Sequence, residues 1–276
     1  MIRVAVVGHV EWVEFARVDH VPARGEIVHA QRTWQEAGGG GAVAAVQLRK
    51  LAGACLFLTA LGSDEVGAAA RAQLGAREGV ELRVAPRPGS QRRAFTFVDR
   101  DGERTITVLG ERLVPHGTDP LDWERLREMD AVYFSGGDAA ALRAARAARI
   151  LVATPRAMDT LREAQVPLDV LVASATDPGE TYAAGELDPE PVWVVRTAGV
   201  AGGEWRGSEE RTGRWRAAAV PGPVRDTYGC GDSFAAGVAF GLARGDALPA
   251  AVELGARCGA ACLTGDGPYR GQLQSV

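Results

Sequence analysis

Short apolar runs alternate along the chain with longer segments rich in alanine and leucine, a rhythm that predicts strand–helix pairs. Strands are predicted at 4–7, 56–60, 80–84, 131–135, 150–153, 170–173 and 192–196. Helices are predicted at 42–51, 65–77, 139–148, 156–164, 231–244 and 248–263. Repeated pairs of this kind predict an α/β fold, with a doubly wound, mainly parallel sheet that carries helices on both faces.

Two segments interrupt this rhythm. Residues 26–34 show partial two-residue alternation, and the runs 94–99 and 104–108 flank Asp101-Gly102, a hairpin turn signal. Because these runs lack crossover helices and carry polar faces, we expect a small separate β layer, a lid over the site. This lid would be drawn from about 11–36 and 92–110 within a single domain of residues 1–276. The alternative is that the runs form antiparallel edge strands of the main sheet.

Composition excludes several function classes. Lys50 is the only lysine, so arginine supplies 30 of the 31 Lys and Arg residues, and asparagine is absent. A Walker-type P-loop needs Gly-Lys-Ser/Thr, whereas Lys50 is followed by Leu51. Eukaryotic-type protein kinases, Cys-His-Asn proteases and N-glycosylated ectodomains each need an asparagine. A GC-rich coding bias would explain the composition without selection on function.

Charge and motif spacing limit the partners. The net charge of −4 offers no electrostatic footprint for nucleic acid. The four cysteines form no CxxC pair, and the four histidines lack metal-ligand spacing. No signal-peptide segment opens the sequence, and no apolar run reaches membrane length. We therefore expect a cytoplasmic protein whose partner is a small molecule, not nucleic acid or a membrane.

The most informative stretch is RDTYGCGDSFAAG, at 225–237, which leads into a predicted helix. Gly229 and Gly231 flank Cys230 and allow the backbone to turn its N–H groups toward a ligand. The helix N-terminus adds unpaired donors and a positive dipole end. These features predict an anion hole for a phosphoryl group beside Asp232, a residue that by itself could equally be a first-turn acid or an N-cap.

Residues 226–232 also carry the complete pattern D-T-x-G-x-G-D, by which the chain resembles the ribokinase-like (PfkB-type) carbohydrate kinase family over nearly its whole length. The resemblance implies a doubly wound α/β domain with a small β lid, and ATP and Mg²⁺ as cofactors. It also implies that Asp232 is the catalytic base and that the amides of Gly229, Cys230 and Gly231 hold the transferred phosphoryl group. A monovalent cation is left open.

The physical chemistry of phosphoryl transfer agrees with these roles. The reaction needs in-line positioning, neutralised charge and a group that orients the attacking hydroxyl. Asp232 can accept the hydroxyl proton, and the helix dipole is expected to keep it ionised near neutral pH.

Nucleotide contacts follow from the same resemblance. A segment after the last predicted strand looks like the family's T-x-G-x-x-G turn, here Thr197, Gly199 and Gly202, which in the family lies against the nucleotide. Taken alone, that segment is an ordinary hairpin turn. Asp226 and Thr227 begin the longer pattern and are assigned to the same ligand.

The glycine run that opens the first predicted helix resembles the family's Gly-Gly substrate motif. Gly38, Gly39 and Gly40 would meet the sugar, although such a run is also compatible with a flexible linker or a simple helix entry. The family usually has an asparagine in the first turn of this helix, where the chain has Val43. One polar substrate contact is therefore expected to be missing.

Further substrate contacts are expected from the lid. Where many sugar kinases have an aspartate after the first strand, this chain has Glu11 and Glu14, and Glu11 is assigned to sugar hydroxyls. Trp12 would stack on a sugar or base, or pack within the lid. In the pair Arg92-Arg93, the planar fork of Arg93 would suit a phosphate or carboxylate on the substrate, with solvated surface as the ordinary alternative.

The predicted metal site departs from the family. Ser174 and Asp177 fall where the family often has the N-x-x-E motif that organises Mg²⁺ and phosphate. Asp177 can support a hydrated Mg²⁺ through water, and Glu180 is a substitute acid.

The sequence thus predicts an ATP-dependent kinase that transfers the γ-phosphate to a hydroxyl of a small sugar or sugar-like substrate. One alternative is a nucleoside kinase, in which Trp12 or Trp34 stacks on a base. The other is a catalytically weak ligand-binding protein on the kinase fold, suggested by the departures at Val43, Ser174 and Asp177. Lids that pair between subunits would give a homodimer. The sugar and its phosphorylated hydroxyl are not determined by the sequence.

Overall fold

A nine-stranded sheet and a four-stranded sheet organise the computed structural model, which describes residues 2–208 and 211–274. The strands are β1 Val4–Val7, β2 Glu11–Arg17, β3 Arg32–Gly38, β4 Cys55–Gly62, β5 Val80–Arg87, β6 Arg93–Val98, β7 Arg104–Leu109, β8 Ala131–Phe134, β9 Ile150–Ala153, β10 Val170–Ser174, β11 Trp193–Thr197, β12 Gly203–Gly207 and β13 Thr212–Trp215. The α-helices are α1 Gly40–Ala52, α2 Glu65–Gly75, α3 Ala139–Ala145, α4 Met158–Ala164, α5 Cys230–Arg244 and α6 Leu248–Cys262.

The larger sheet has the order β13-β12-β11-β10-β9-β8-β1-β4-β5. From β11 to β5 every neighbouring pair is parallel, and β12 and β13 add an antiparallel edge. The side chains of β1 alternate between two cores: Val4 and Val6 pack with α1, α2, α5 and α6, whereas Ala5 and Val7 pack with α3 and α4. The predicted doubly wound sheet with helices on both faces is confirmed.

The smaller sheet has the order β3-β2-β6-β7 and is separate from the larger one. The outer pairs are antiparallel, and the central pair, β2 with β6, is parallel. The interpretation as a separate β layer is therefore confirmed, and the alternative of edge strands on the main sheet is wrong.

One predicted strand of the smaller sheet is displaced, and another was not predicted. The strand expected at 26–34 is wrong, since β3 occupies Arg32–Gly38 and residues 26–31 belong to no strand. Ile27, an apolar residue of the predicted strand, is 87% exposed in a loop. The strand β2, Glu11–Arg17, was missed because Phe15 and Ala16 are both buried and interrupt the two-residue pattern.

Most other elements agree with the pattern to within a few residues. The helix expected at 156–164 begins as a 3₁₀ turn, Pro155–Ala157, before α4. No helix within the described ranges combines the length and apolar character needed to cross a bilayer.

The sheet order places a crevice at one edge of the main sheet. β1 lies between β8 and β4, so the chain leaves the carboxyl ends of these strands toward helices on opposite faces. Doubly wound sheets bind ligands at such a switch point. The smaller sheet faces this edge, and the two sheets enclose the cavity described below.

Candidate active site

A cavity of about 630 Å³ lies between the carboxyl ends of the main-sheet strands, the start of α5 and the smaller sheet. Its lining is polar and rich in charge. The charged side chains that line it are Glu11, Arg92, Glu103, Arg104, Arg112, Arg156, Asp177, Glu180 and Asp232.

The loop before α5 forms the floor of this cavity. Gly229 is the N-cap of α5 with φ +81°, a left-handed conformation that favours glycine, and no side chain caps the helix. The amides of the first helical turn, at Cys230 and Gly231, therefore lack intrahelical partners and carry the positive end of the helix dipole. Gly231 is exposed and lines the cavity, and a Cβ added to it would meet nothing within 4 Å. The loop has the form of an anion site at a helix N-terminus.

Asp232 stands in the first turn of α5 and reaches the start of α1. A Cβ added to Gly40 would lie 2.7 Å from Asp232 Oδ1, so only glycine lets the carboxylate approach this closely. Gly39 and Gly40 both line the cavity. Two segments 190 residues apart, both expected from the sequence to hold ligands, thus meet at one carboxylate.

Burial raises the pKa of Asp232 to about 7, and repulsion from Glu180 adds to this shift. Arg156 and Arg104 act in the opposite direction without cancelling it. Desolvation thus opposes the effect expected from the helix dipole, and the carboxyl group is ionised only in part at neutral pH. A carboxyl group with this pKa can both accept and release a proton at neutral pH.

The two acids expected to bind metal lie together and share an arginine. Arg156 Nη2 donates to Asp177, and Arg156 Nε donates to Glu180 Oε1 over 2.7 Å. Ser174 Oγ accepts from the Asp177 amide at 3.0 Å and so stabilises the turn. The described part of the chain contains no group of three or more His, Cys, Asp or Glu side chains placed to hold a metal ion. Two carboxylates still fit Mg²⁺, which proteins usually bind through one or two carboxylates together with waters and substrate phosphates.

Of the two adjacent arginines, Arg92 lines the cavity and Arg93 does not. Arg92 lies just before β6, with Nε 2.7 Å from Glu11 Oε1, and both residues line the cavity. Arg93 lies in a separate depression of about 240 Å³ on the other face of the smaller sheet. Neighbouring residues of a strand point to opposite faces, so the buried residues Ala94 and Thr96 already mark Arg93 as outward.

Arg112 is a further cavity residue that no sequence pattern indicated. Its Nη1 donates to the Arg156 carbonyl over 2.9 Å, and no ion pair involves it among residues 2–208 and 211–274. Burial, and then the positive charge of Arg92, lower the pKa of Arg112. Two guanidinium groups close enough to repel each other therefore line the same cavity, which makes it attractive to an anion.

His9 is a further residue that the sequence did not single out. It follows β1, is 6% exposed and lines the cavity. No sequence motif marks His9, and only the fold shows that it reaches the cavity.

Several residues assigned to ligands lie outside the cavity. Asp226 is fully buried, and its two oxygens accept from the amides of Tyr228 and Gly267 at 2.8 and 2.9 Å. It braces the loop and has no free oxygen for a nucleotide. Gly38 is buried beneath Tyr228, whose hydroxyl would lie 2.7 Å from a Cβ added to Gly38.

Thr227 connects the loop to the smaller sheet. Its amide donates to the Gly102 carbonyl over 3.0 Å, and its own carbonyl accepts from Arg104 Nη1 at 2.7 Å. The tip of the β6–β7 hairpin is therefore bonded directly to the loop that forms the anion site.

The turn containing Thr197, Gly199 and Gly202 does join β11 to β12, as its pattern indicates. Its residues do not line the cavity. A role for this turn in binding a nucleotide stays a prediction.

The tryptophans considered for base stacking do not face the cavity. Trp34 stacks on Phe15, with ring centroids 4.9 Å apart. Trp12 lies in the separate depression with Arg93. The aromatic side chain that does line the cavity is Tyr228.

Comparison with known proteins identifies relatives of the whole chain. Residues 1–176 and 181–274 match the family described as pfkB family carbohydrate kinase. The ATP-dependent ribose-1-phosphate kinase of Halopiger xanaduensis is 31% identical over 94% of this chain and 91% of its own. The structure of Arabidopsis thaliana ribokinase complexed with ribose and ATP superimposes with a TM-score of 0.79 at 21% identity, covering 99% of this chain and 96% of that one. Adenosine kinase from Sinorhizobium meliloti gives 0.76 at 20% identity, covering 97% and 95%.

Proposed function

Because the chain belongs to the pfkB family of carbohydrate kinases, it is an ATP-dependent phosphotransferase that acts on a sugar hydroxyl, and we propose that its acceptor is a sugar phosphate. Ribose 1-phosphate is the representative acceptor, named for the Halopiger xanaduensis relative. The observation that carries this proposal is the pair of guanidinium groups, Arg92 and Arg112, in the same cavity as Asp232.

The charge pattern supports a phosphorylated acceptor. A neutral sugar needs hydroxyl partners, not two largely desolvated arginines whose mutual repulsion is only partly offset by nearby carboxylates. Arg92 is partly balanced by Glu11, whereas Arg112 pairs with no carboxylate among the described residues. A phosphate dianion would neutralise both and accept bidentate hydrogen bonds from their planar forks.

Asp232 supports the chemistry of transfer as the general base. The acceptor oxygen forms a bond to the γ-phosphorus while the bond from that phosphorus to the bridging β–γ oxygen breaks, and ADP departs. The proton of the acceptor hydroxyl passes to the Asp232 carboxylate. The amides at the start of α5 would stabilise charge on the transferred group.

Asp177 and Glu180 would hold hydrated Mg²⁺, which supplies neutralisation of the phosphate charge. Arg156 forms ion pairs with both carboxylates and so holds them together. The residues of the turn at Thr197, together with the α5 loop, would bind the nucleotide.

The smaller sheet would act as a lid and as the contact of a homodimer. Its outer face carries the half-buried rings of Trp12, Phe95 and Phe97, and its edge strand β7 is exposed throughout. Sedimentation velocity of the intact protein and of Phe95→Glu would test this, since the variant is expected to sediment as a monomer and an unchanged dimer would exclude this face.

A panel of acceptors tests the function. With ATP and Mg²⁺, we expect kcat/KM for ribose 1-phosphate to exceed that for ribose about 100-fold, since charged hydrogen bonds to a buried group are strong. Ribose 5-phosphate and adenosine complete the panel, with ADP release and ³¹P NMR of the product as readouts. A higher kcat/KM for ribose or adenosine than for ribose 1-phosphate would overturn the proposal of a sugar phosphate acceptor. If no acceptor of the panel caused ADP release, the chain would be a ligand-binding protein on the kinase fold.

The pKa of Asp232 predicts the pH dependence. The base must be deprotonated, so log(kcat/KM) should rise with unit slope below about pH 7, the raised pKa of Asp232, and level off above it. Because a sugar phosphate itself titrates near pH 6, the profile is best recorded with ribose, at concentrations well below its KM and with saturating ATP. A profile that is flat from pH 5.5 to 8 would be inconsistent with Asp232 as the base.

A further inference from the structure

The imidazole of His9 lines the cavity beside the glycines at the start of α1. A Cβ added to Gly39 would lie 3.2 Å from His9 Cδ2, and one added to Gly40 would lie 3.5 Å from His9 Cε1 and 2.7 Å from Asp232 Oδ1. The histidine ring and the proposed catalytic carboxylate therefore flank the same glycine.

The protein satisfies the polar atoms of this ring only weakly. His9 Nδ1 is buried beside the Ser135 backbone, an interaction that opposes the lowering of the His9 pKa, but it has no partner with full hydrogen-bond geometry among the described residues. His9 Nε2 lies 3.8 Å from Glu11 Oε1, beyond hydrogen-bond distance. A buried polar atom without a partner costs free energy, so a nitrogen left in this state beside a cavity indicates a ligand as its partner.

The surroundings of His9 determine its protonation. Burial lowers the pKa of His9 well below 6.5, and the positive charges of Arg112, Arg92 and Arg156 lower it further. Glu11 is the one carboxylate that faces the ring within ion-pair distance in residues 2–208 and 211–274. The neutral ring has one donor and one acceptor nitrogen, a combination that suits a sugar hydroxyl, which can likewise both donate and accept.

We propose that His9 is a positioning residue that hydrogen-bonds a ring hydroxyl of the acceptor sugar and so aligns the neighbouring reactive hydroxyl with Asp232. The inference rests on the proposed function. It separates two tasks within one cavity: Arg92 and Arg112 hold the phosphate of the acceptor, and His9 sets the rotation of its sugar ring. In-line transfer is sensitive to that rotation, since displacement of the reacting atoms by about 1 Å can cost 100-fold in rate.

The test is a set of His9 variants combined with deoxy acceptors. His9→Phe keeps the ring and removes both nitrogens, His9→Asn retains a donor and an acceptor, and His29→Phe at an exposed position is the matched control. On ribose 1-phosphate we expect His9→Phe to lose about tenfold or more in kcat/KM, with KM for ATP unchanged and His9→Asn partly restored. On either the 2-deoxy or the 3-deoxy analogue, the same substitution should change kcat/KM less than twofold, because the contact is already absent.

The coupling between substitution and analogue is the decisive readout, because a purely structural role of His9 would lower activity equally on every acceptor. Equal losses of kcat/KM on all three acceptors, or no loss in His9→Phe, would overturn the inference about His9. Neither result would contradict the proposed kinase function. A wild-type protein that phosphorylates no sugar would overturn the proposed function and this inference with it. In ¹⁵N-imidazole NMR of the wild type, added ribose 1-phosphate should shift the His9 Nδ1 resonance, and an unshifted resonance at saturation would count against the contact.

Discussion

Asp232→Asn is expected to lower kcat by about a thousandfold, the range in which a positioned general base contributes to proton transfer. The amide cannot accept the acceptor's proton, yet it has the shape of the carboxyl group and still fits against Gly40. The proposed anion site consists of backbone amides at the start of α5, which the change leaves in place. KM for ATP should therefore stay within about threefold of wild type. Steady-state kinetics on the preferred acceptor give both numbers, and turnover near the wild-type value would exclude Asp232 as the base.

Thermal unfolding of the same variant provides an independent control. The folded protein raises the pKa of Asp232 from 3.8 to about 7, so this group contributes stability that is complete below pH 4 and is lost as the pH rises through 7. An asparagine stays neutral and loses nothing. Asp232→Asn should thus raise Tm at pH 8 and have a much smaller effect at pH 5. A Tm that falls equally at both values would mean that the variant is damaged in its fold.

Arg112→Ala is expected to lower kcat/KM for ribose 1-phosphate by about 100-fold while leaving kcat/KM for ribose nearly unchanged, because truncating one member of a buried charged contact costs 2–5 kcal/mol. Arg112 is the cleaner position to change, since removal of Arg92 would leave Glu11 unpaired beside the acceptor. The ratio of kcat/KM for ribose 1-phosphate to kcat/KM for ribose, measured in one enzyme preparation, does not depend on the fraction of active enzyme.

Arg93→Ala is the matched control for this experiment. It removes an arginine next in sequence to Arg92 whose side chain lies on the opposite face of the smaller sheet. No change in the acceptor ratio is expected. A uniform loss on ribose and ribose 1-phosphate in Arg112→Ala would show that this residue supports the fold and not the phosphate.

The parallel sheet could be predicted closely because its strands are buried on both faces and appear as continuous apolar runs. Val4–Val7 and Ile150–Ala153 were predicted with the bounds that the structure shows. The pattern at 226–232 likewise located the start of α5 to within one residue. Buried strands and phosphate-binding turns depend on local sequence, which explains this agreement.

The smaller sheet and the cavity residues Arg112 and His9 were harder to predict, because strand pairing and cavity lining depend on residues far apart in the sequence. The central pair joins Trp12 to Arg93, so no local pattern fixes its register. The contribution of Arg112 and His9 depends on loops that come together only in the folded chain. The pKa of Asp232 likewise depends on burial and on Glu180, neither of which a motif encodes.

The bonds between Thr227 and the hairpin tip have a mechanical consequence. Gly102 and Arg104 hold the amide and the carbonyl of the same residue in the anion-site loop. Swinging the smaller sheet outward stretches both bonds at once, at about 1 kcal/mol each. These two hydrogen bonds therefore couple the position of the smaller sheet to the loop before α5, so opening of the proposed lid would also loosen the proposed anion site.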